Sequence, residues 1–177
     1  MHQARFCTWL AVVAAALTLA TAAAASPEGT PNPTNFHTDI ATGFGFSQGE
    51  CCLYWYFGTP TAVNVPRVGP ATLTTFFIQC FPDWLCNPPN SQLTLTFDAK
   101  NGDKLVLLGY APNLGSATDD GTTFRLTVEG TWTVQPDSTG RFASYTGSGT
   151  FSFLLTQAFG SPSGSEQVTL DGTLKTK

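Results

Sequence analysis

Apolar and polar residues alternate strictly between Phe124 and Val134. Apolar side chains and Gly130 occupy the even positions, and Arg125, Glu129 and threonines occupy the odd positions. Alternation over this length has the period of a strand, and no helix can satisfy it. At about 3.3 Å per residue the segment is roughly 36 Å long, about twice a usual strand. The pattern predicts a long strand in a coiled sheet, with an inward glycine that relieves curvature.

Similar but shorter patterns predict the rest of the fold. Asn101-Gly102 is a strong hairpin signal, and 112–121 reads as a polar loop. No helix is indicated after residue 26. We therefore expect an all-β fold, an antiparallel up-and-down β-barrel of about eight strands, with a two-sheet β-sandwich as the alternative. Further strands are predicted at 72–80, 93–98, 104–110, 149–159 and 167–176; the segments 53–57 and 62–65 are weaker candidates, and 36–49 is ambiguous.

The first 25 residues have the composition of a secretory signal peptide. A short basic start precedes an uncharged run, and Ala23-Ala24-Ala25 matches the small-residue cleavage pattern. Residues 26–35 are rich in proline and small polar residues, which predicts a flexible leader. This leaves 36–177 as a single β-barrel domain. We expect the protein to be secreted, into the periplasm or the extracellular space.

Four cysteines remain after cleavage, and they predict two disulfides. Cys51 and Cys52 are adjacent, so each pairs more easily with Cys80 or Cys86 than with its neighbour. Both pairings, 51–80 with 52–86 and 51–86 with 52–80, stay open. A zinc site is disfavoured because no histidine lies near these cysteines. We expect neither a metal nor a cofactor.

The charge balance restricts the partners. Seven basic and twelve acidic residues remain after residue 25, a net charge of −5. A weakly acidic surface argues against nucleic acid and against anionic membranes as partners. We expect no membrane association after signal cleavage, and the composition is compatible with an oligomer.

The candidate ligand-binding residues are mostly aromatic. Packing in the core or at the barrel rim is the competing explanation for these aromatics. Arg141 could face an anionic ligand, but an arginine in such a turn more often stabilises the turn or covers aromatic rings. The candidates are Tyr54, Trp55, Tyr56, Trp84, Trp132 and Arg141.

Other residue types support catalysis or metal binding less well. His37 is the only histidine after the signal peptide, and no Gly-x-Ser-x-Gly motif accompanies it. Asp119 and Asp120 lack the further oxygen ligands that calcium needs. Asp98 and Glu129 occupy the polar faces of their strands, so they are catalytic candidates only if that face is the barrel interior. We name no catalytic residue.

One stretch resembles a known family. Thr139-Gly140-Arg141-Phe142-Ala143, followed by Gly147 and Gly149-Thr150-Phe151, resembles the signature turn and strand of the allene oxide cyclase and dirigent barrels. Gly130-Thr131-Trp132 and Leu170-Asp171-Gly172-Thr173-Leu174 are similar to segments of bacterial secreted members. The resemblance covers about residues 93 to 175. It implies an eight-stranded barrel with an apolar cavity for a small hydrophobic molecule.

Three functions follow as hypotheses. The leading one is a secreted barrel that binds a small hydrophobic ligand in its interior. The second is a cyclase or coupling-guiding protein, an isomerase-type activity that needs no metal and requires an inward acid, tyrosine or arginine. The third is a structural or adhesive exported protein. We favour a binding protein over an enzyme, because none of the family's catalytic residues can be placed in this sequence and a shared fold alone does not transfer a function.

Overall fold

The computed structural model describes residues 34–48, 53–80, 91–112 and 115–176, which belong to one compact unit, Pro31–Lys177. Nearly all of these residues are in strands. The described ranges contain one helical element, the three-residue 3-10 helix Gly140–Phe142. The strands are β1 (Thr34–Gln48), β2 (Leu53–Gly58), β3 (Thr61–Val65), β4 (Gly69–Cys80), β5 (Ser91–Ala99), β6 (Lys104–Ala111), β7 (Ser116–Asp119), β8 (Thr123–Val134), β9 (Tyr145–Ala158) and β10 (Ser163–Thr176).

Eight of the strands form a closed antiparallel barrel. The hydrogen-bonded order is β1-β10-β9-β8-β6-β5-β4-β2, and β2 pairs again with β1. Two further strands pair with strands of the barrel. β3 pairs with residues 69–73 of β4, and β7 pairs with residues 124–127 of β8. Closure confirms the predicted barrel and excludes the two-sheet sandwich.

A row of directly paired residues fixes the geometry of the barrel. Followed once around the wall from Phe36 on β1, the row returns to β1 at Phe46, ten residues further along the strand. Eight strands with this offset are strongly tilted and enclose an interior just wide enough for side chains or for one small ligand. The row runs Phe36, Gly172, Gly149, Trp132, Gly109, Leu93, Phe77, Tyr56, Phe46.

Two segments differ from their sequence-based predictions. The ambiguous stretch 36–49 is a 15-residue strand, β1, whose inner residues Phe36, Ile40 and Phe44 are buried despite its glycines. The predicted loop 112–121 contains β7, whose four residues are all exposed. Because β7 buries nothing, it carries no alternation, and its pairing with β8 comes from the barrel context.

Trp132 is the largest fully buried side chain of the described core, and its ring lies against Gly172. It is fully buried, and a Cβ on Gly172 would lie 2.6 Å from its ring. Its indole N–H donates to the Thr150 carbonyl at 2.9 Å and to the Asp171 carbonyl at 3.2 Å. Phe36 packs edge-on against the ring at 5.6 Å. Gly172 therefore leaves the room that the tryptophan ring fills.

The two barrel ends differ. We call plug end the one that carries the turns 65–69, 99–104 and 134–145. There the 3-10 helix inserts Phe142, which is fully buried against Tyr145, and Val68 is also fully buried. We call cysteine end the opposite one, where β1, β2, β4 and β5 meet the segments 49–52 and 81–90. The turn of the signature-like stretch thus covers the plug end, and the rest of the stretch is the first half of β9.

Several predictions fall on residues that the structure does not describe. The signal peptide and most of the leader lie outside the described ranges, as do Cys51, Cys52 and Cys86. Cys80 ends β4, but its side chain is also outside the description. Secretion and disulfide pairing therefore stay predictions.

Gly149→Ala should destabilise the barrel by about 1–3 kcal/mol, because the new methyl would overlap the Asp171 carbonyl oxygen on β10. Gly45→Ala is the matched control: a Cβ there meets nothing within 4 Å, so its free energy of unfolding should stay unchanged or rise by up to about 1 kcal/mol. Urea unfolding of both variants measures the difference. Equal losses in the two variants would contradict the close packing of β9 against β10.

Candidate functional site

Polar side chains occupy the interior of the barrel towards the cysteine end. Glu166 on β10 points inward, in the same series as Val168 and Leu170, and it is only 2% exposed. The Thr75 hydroxyl on β4 donates a hydrogen bond to its carboxylate. Gly58 on β2 lies between the two side chains, and a Cβ there would collide with both. The absence of a side chain at residue 58 thus allows Glu166 to reach Thr75.

Burial changes the acidity of Glu166. Removal from water raises its pKa from 4.5 to about 7, although the hydrogen bond from Thr75 lowers it in part. The carboxyl is therefore close to half protonated at neutral pH. In that state it can donate a hydrogen bond, accept one, or exchange a proton with a bound molecule.

A second polar pair lies nearer the rim. The Tyr56 hydroxyl on β2 donates to the Gln79 Oε1 on β4 at 3.3 Å, and both side chains are buried. Burial, with a smaller contribution from Tyr54, raises the pKa of Tyr56 to about 12, so this phenol stays neutral. The Tyr56 ring packs against Phe44 and Phe77, each at 5.6 Å.

Ser91 completes the polar group. It is the first residue of β5, it is 1% exposed, and within the described part of the chain its hydroxyl has no hydrogen-bond partner. A buried polar atom without a partner costs roughly 1–3 kcal/mol, and native proteins rarely keep one without a reason. Ser91 is therefore a candidate contact for a bound molecule.

Aromatic side chains lie among these polar groups. On β4 the inward residues Thr75, Phe77 and Gln79 follow one another towards the cysteine end, so Phe77 separates the two polar residues. Phe77 and Phe153 stack at 4.8 Å between ring centroids, and both are fully buried. Towards the plug end the inward side chains are buried and apolar as far as Phe142, with Leu73 and Leu107 among them. We call lumen site the group formed by Tyr56, Thr75, Gln79, Ser91 and Glu166.

The predicted ligand-binding residues separate into three places. Tyr56 belongs to the lumen site, and Tyr54 and Trp55, both half-buried, precede it on β2. Trp132 lies in the filled core beside Phe36. Trp84 lies outside the described residues. Their ligand-binding role remains a prediction, and of the five that the structure describes only Tyr56 is in the lumen site.

Arg141 lies at the plug end, away from the lumen site. Its guanidinium donates to the Val68 carbonyl, lies 4.6 Å from the Phe142 ring centroid and is 3.6 Å from the Asp103 carboxylate. These contacts fit the expected alternative, an arginine that stabilises a turn and covers an aromatic ring.

The remaining ionisable candidates are on the outer surface. Asp98 and Glu129 are exposed, and Asp98 is 3.7 Å from the Lys104 ammonium. Asp119 and Asp120 accept hydrogen bonds from backbone N–H groups of their own loop. In the described ranges no group of three or more histidine, cysteine or acidic side chains could hold a metal, and no helix there is long and apolar enough to cross a membrane.

His37 contacts two carboxylates on the outer face of β1 and β10. Its Nδ1 is 2.6 Å from Asp171 and its Nε2 is 3.2 Å from Asp39. The hydrogen bond to Asp171 is the largest cause that raises the His37 pKa, and the bond from Thr169 is the largest that lowers the Asp39 pKa. None of these contacts involves a serine, so a Ser-His-Asp arrangement is absent around this ring.

Comparisons with models of protein families, with curated proteins and with solved structures found no match. The barrel itself is shown by the strand pairing. The resemblance to allene oxide cyclase and dirigent proteins rests on the quoted segments alone, and it stays a prediction.

Four of the five lumen-site residues were not among the sequence-based candidates. Glu166 could have been found, because the alternation in β10 extends by twos from Leu174 back to residue 166 and places the acid on the inward face. Gln79 follows in the same way from Phe77 on β4. Their approach to one another depends on the barrel register, which no local pattern contains.

Glu166→Gln should remove a pH dependence of stability. With a folded-state pKa of about 7 against 4.5 for the ordinary carboxyl, Glu166 costs nothing below pH 4.5 and progressively destabilises the fold as the pH rises to 7. The loss is up to about 3 kcal/mol at 1.36 kcal/mol per pKa unit. Glutamine keeps the shape without the charge, so the variant should be more stable than the parent above pH 7. Urea unfolding between pH 4 and 8 measures it.

His37 needs a control in this experiment, because its raised pKa also makes stability fall as the pH rises. The Glu166→Gln comparison is therefore repeated in a His37→Gln background, where the slope that remains belongs to the other groups. If Glu166→Gln leaves the dependence of the unfolding free energy on pH unchanged in both backgrounds, the raised pKa of Glu166 is contradicted.

Proposed function

We propose that the protein is a secreted β-barrel that binds one small, mainly apolar molecule in its interior, at the cysteine end. The observation that carries this proposal is the lumen site itself. Three polar groups face the interior among apolar side chains: Glu166 with Thr75, Tyr56 with Gln79, and Ser91, whose hydroxyl has no partner in the described ranges. Few polar groups in an otherwise apolar enclosure are typical of sites for small ligands.

The chemistry of the site favours a particular kind of ligand. Aromatic rings and aliphatic side chains would contact its body, and one hydroxyl or carbonyl group on it would bond to Ser91 or Glu166. A ligand with a permanent negative charge is disfavoured, because Glu166 is partly ionised at neutral pH. Terpenoid alcohols, ketones and fatty alcohols have the required combination of groups.

Ser91→Val should weaken the binding of such compounds by about ten-fold or more, because it removes the hydroxyl and fills the polar region. Gln92→Val is the matched control, since residue 92 is exposed on the outer side of the same strand. Native mass spectrometry and fluorescence titration with a panel of terpenoids and lipids measure the affinity. If the parent protein binds no compound of the panel, the binding proposal fails.

A second candidate function is an isomerase or cyclase of the acid–base type. The specific observation in its favour is the pKa of Glu166 near 7, the value at which a carboxyl takes up and releases protons most readily at neutral pH. Tyr56, with a pKa of about 12, would act only as a neutral hydrogen-bond donor. A structural or adhesive role has no comparable support, since it makes no use of a buried carboxyl.

Acid–base catalysis predicts that ligands with acidic C–H bonds exchange hydrogen with solvent when bound. Incubation in D₂O followed by mass spectrometry of the ligand should show deuterium uptake with the parent protein. Glu166→Gln should slow the uptake by about a hundred-fold or more while binding is retained. Equal deuterium uptake with the parent and the variant would contradict acid–base catalysis by Glu166 and would leave the binding proposal standing.

A further inference from the structure

A surface pocket at the plug end contains two arginines. It is formed by residues 64–69, which connect β3 to β4, together with Arg141 of the 3-10 helix, and its volume is about 530 Å³. It lies at the opposite end of the barrel from the lumen site. Since only seven basic residues follow the predicted signal peptide, two at one pocket is a local concentration of positive charge on an acidic protein.

Arg67 has an unfavourable backbone conformation. Its φ is 70°, and no other non-glycine residue in the described ranges has a positive φ. Side chains with a Cβ disfavour this region, which suits glycine or asparagine. The turn is held there because the Val68 side chain enters the core and its N–H bonds to the Val65 carbonyl at 3.1 Å. An arginine in this position is thus tolerated against the backbone preference, as is common at functional sites.

Arg141 is held in place at the other side of the pocket. The Val68 carbonyl, the Phe142 ring and the Asp103 carboxylate all contact its guanidinium. A guanidinium has five N–H donors, so a bond to Val68 is compatible with further bonds to a ligand. Because these contacts already restrict the side chain, little rotamer freedom remains to be lost on binding.

We propose that the pocket between Arg67 and Arg141 binds an oxyanion, that is, a carboxylate, sulfate or phosphate group of a small molecule. Planar guanidinium groups match such oxygens with paired hydrogen bonds. The Asp103 carboxylate, 3.6 Å from the Arg141 guanidinium, offsets part of the charge of this arginine. This anion pocket is independent of the lumen site, so either proposal can fail alone.

The test uses inorganic sulfate, inorganic phosphate and acetate as probes at constant ionic strength. Amide NMR signals of Val68 and Gly69 should shift saturably for at least one of the three anions. Arg67→Asn should weaken this binding by about ten-fold or more. The same substitution should also raise the Tm by about 2–4 °C, because asparagine accommodates the positive φ.

Lys100→Asn is the matched control, because it removes the same charge from an exposed turn. It should leave the anion affinity and the Val68 signals as they are. Arg141→Lys keeps the charge but not the fork of N–H donors, and it should weaken binding as well. The proposal is overturned if the parent shows no saturable shifts, if Arg67→Asn binds like the parent, or if Lys100→Asn loses as much affinity as Arg67→Asn.

Discussion

Closure of eight strands with a ten-residue offset is the constraint on which the rest of the structure depends. It sets an interior just wide enough for side chains, so the largest of them need space from a small residue nearby. Gly172 makes room for Trp132, and Gly58 makes room for Glu166 and Thr75. In each place one long side chain takes the space left by a glycine two strands away. Because the barrel is closed, each of its eight strands has a hydrogen-bonded neighbour on both sides, and none of them is an edge strand.

The interior is divided between two kinds of packing. Towards the plug end, from Phe142 to Trp132, it is apolar and closely packed, and this part supplies much of the hydrophobic stabilisation. Towards the cysteine end Glu166, Thr75, Tyr56, Gln79 and Ser91 introduce polar atoms that a purely structural barrel would not need. A buried carboxyl lowers stability at neutral pH. Such a cost is typical of sites selected for binding or chemistry rather than for rigidity.

The sequence was informative wherever one face of a strand is buried and the other is wet. β8 follows its predicted alternation over its whole length, with Trp132 inward and Glu129 outward. The exposed strand β7 has no such contrast, and it was predicted as a loop. In β1 the glycines at residues 43 and 45 weakened a pattern that the buried Phe36, Ile40 and Phe44 in fact carry.

The sites were harder to predict than the walls. The aromatic residues beside the cysteines were predicted as ligand contacts because they are large and clustered. Glu166, in contrast, is a single polar residue near the start of β10. Its meaning depends on Thr75, 91 residues away in sequence, and on the register that brings β10 and β4 to opposite sides of Gly58. Arg67 was not among the predicted site residues for a similar reason, because the residue type alone does not reveal its positive φ.

The pairing of β1 with β10 joins the first strand of the barrel to the last. Contacts of such large sequence separation form slowly, because a long loop must close before any bond is gained. β1 therefore has to wait with an unpaired edge until the final fourteen-residue strand has been synthesised. Until β10 has paired, the open edge of β1 offers its backbone N–H and C=O groups to any other strand, so association between partly folded chains competes with closure of the barrel.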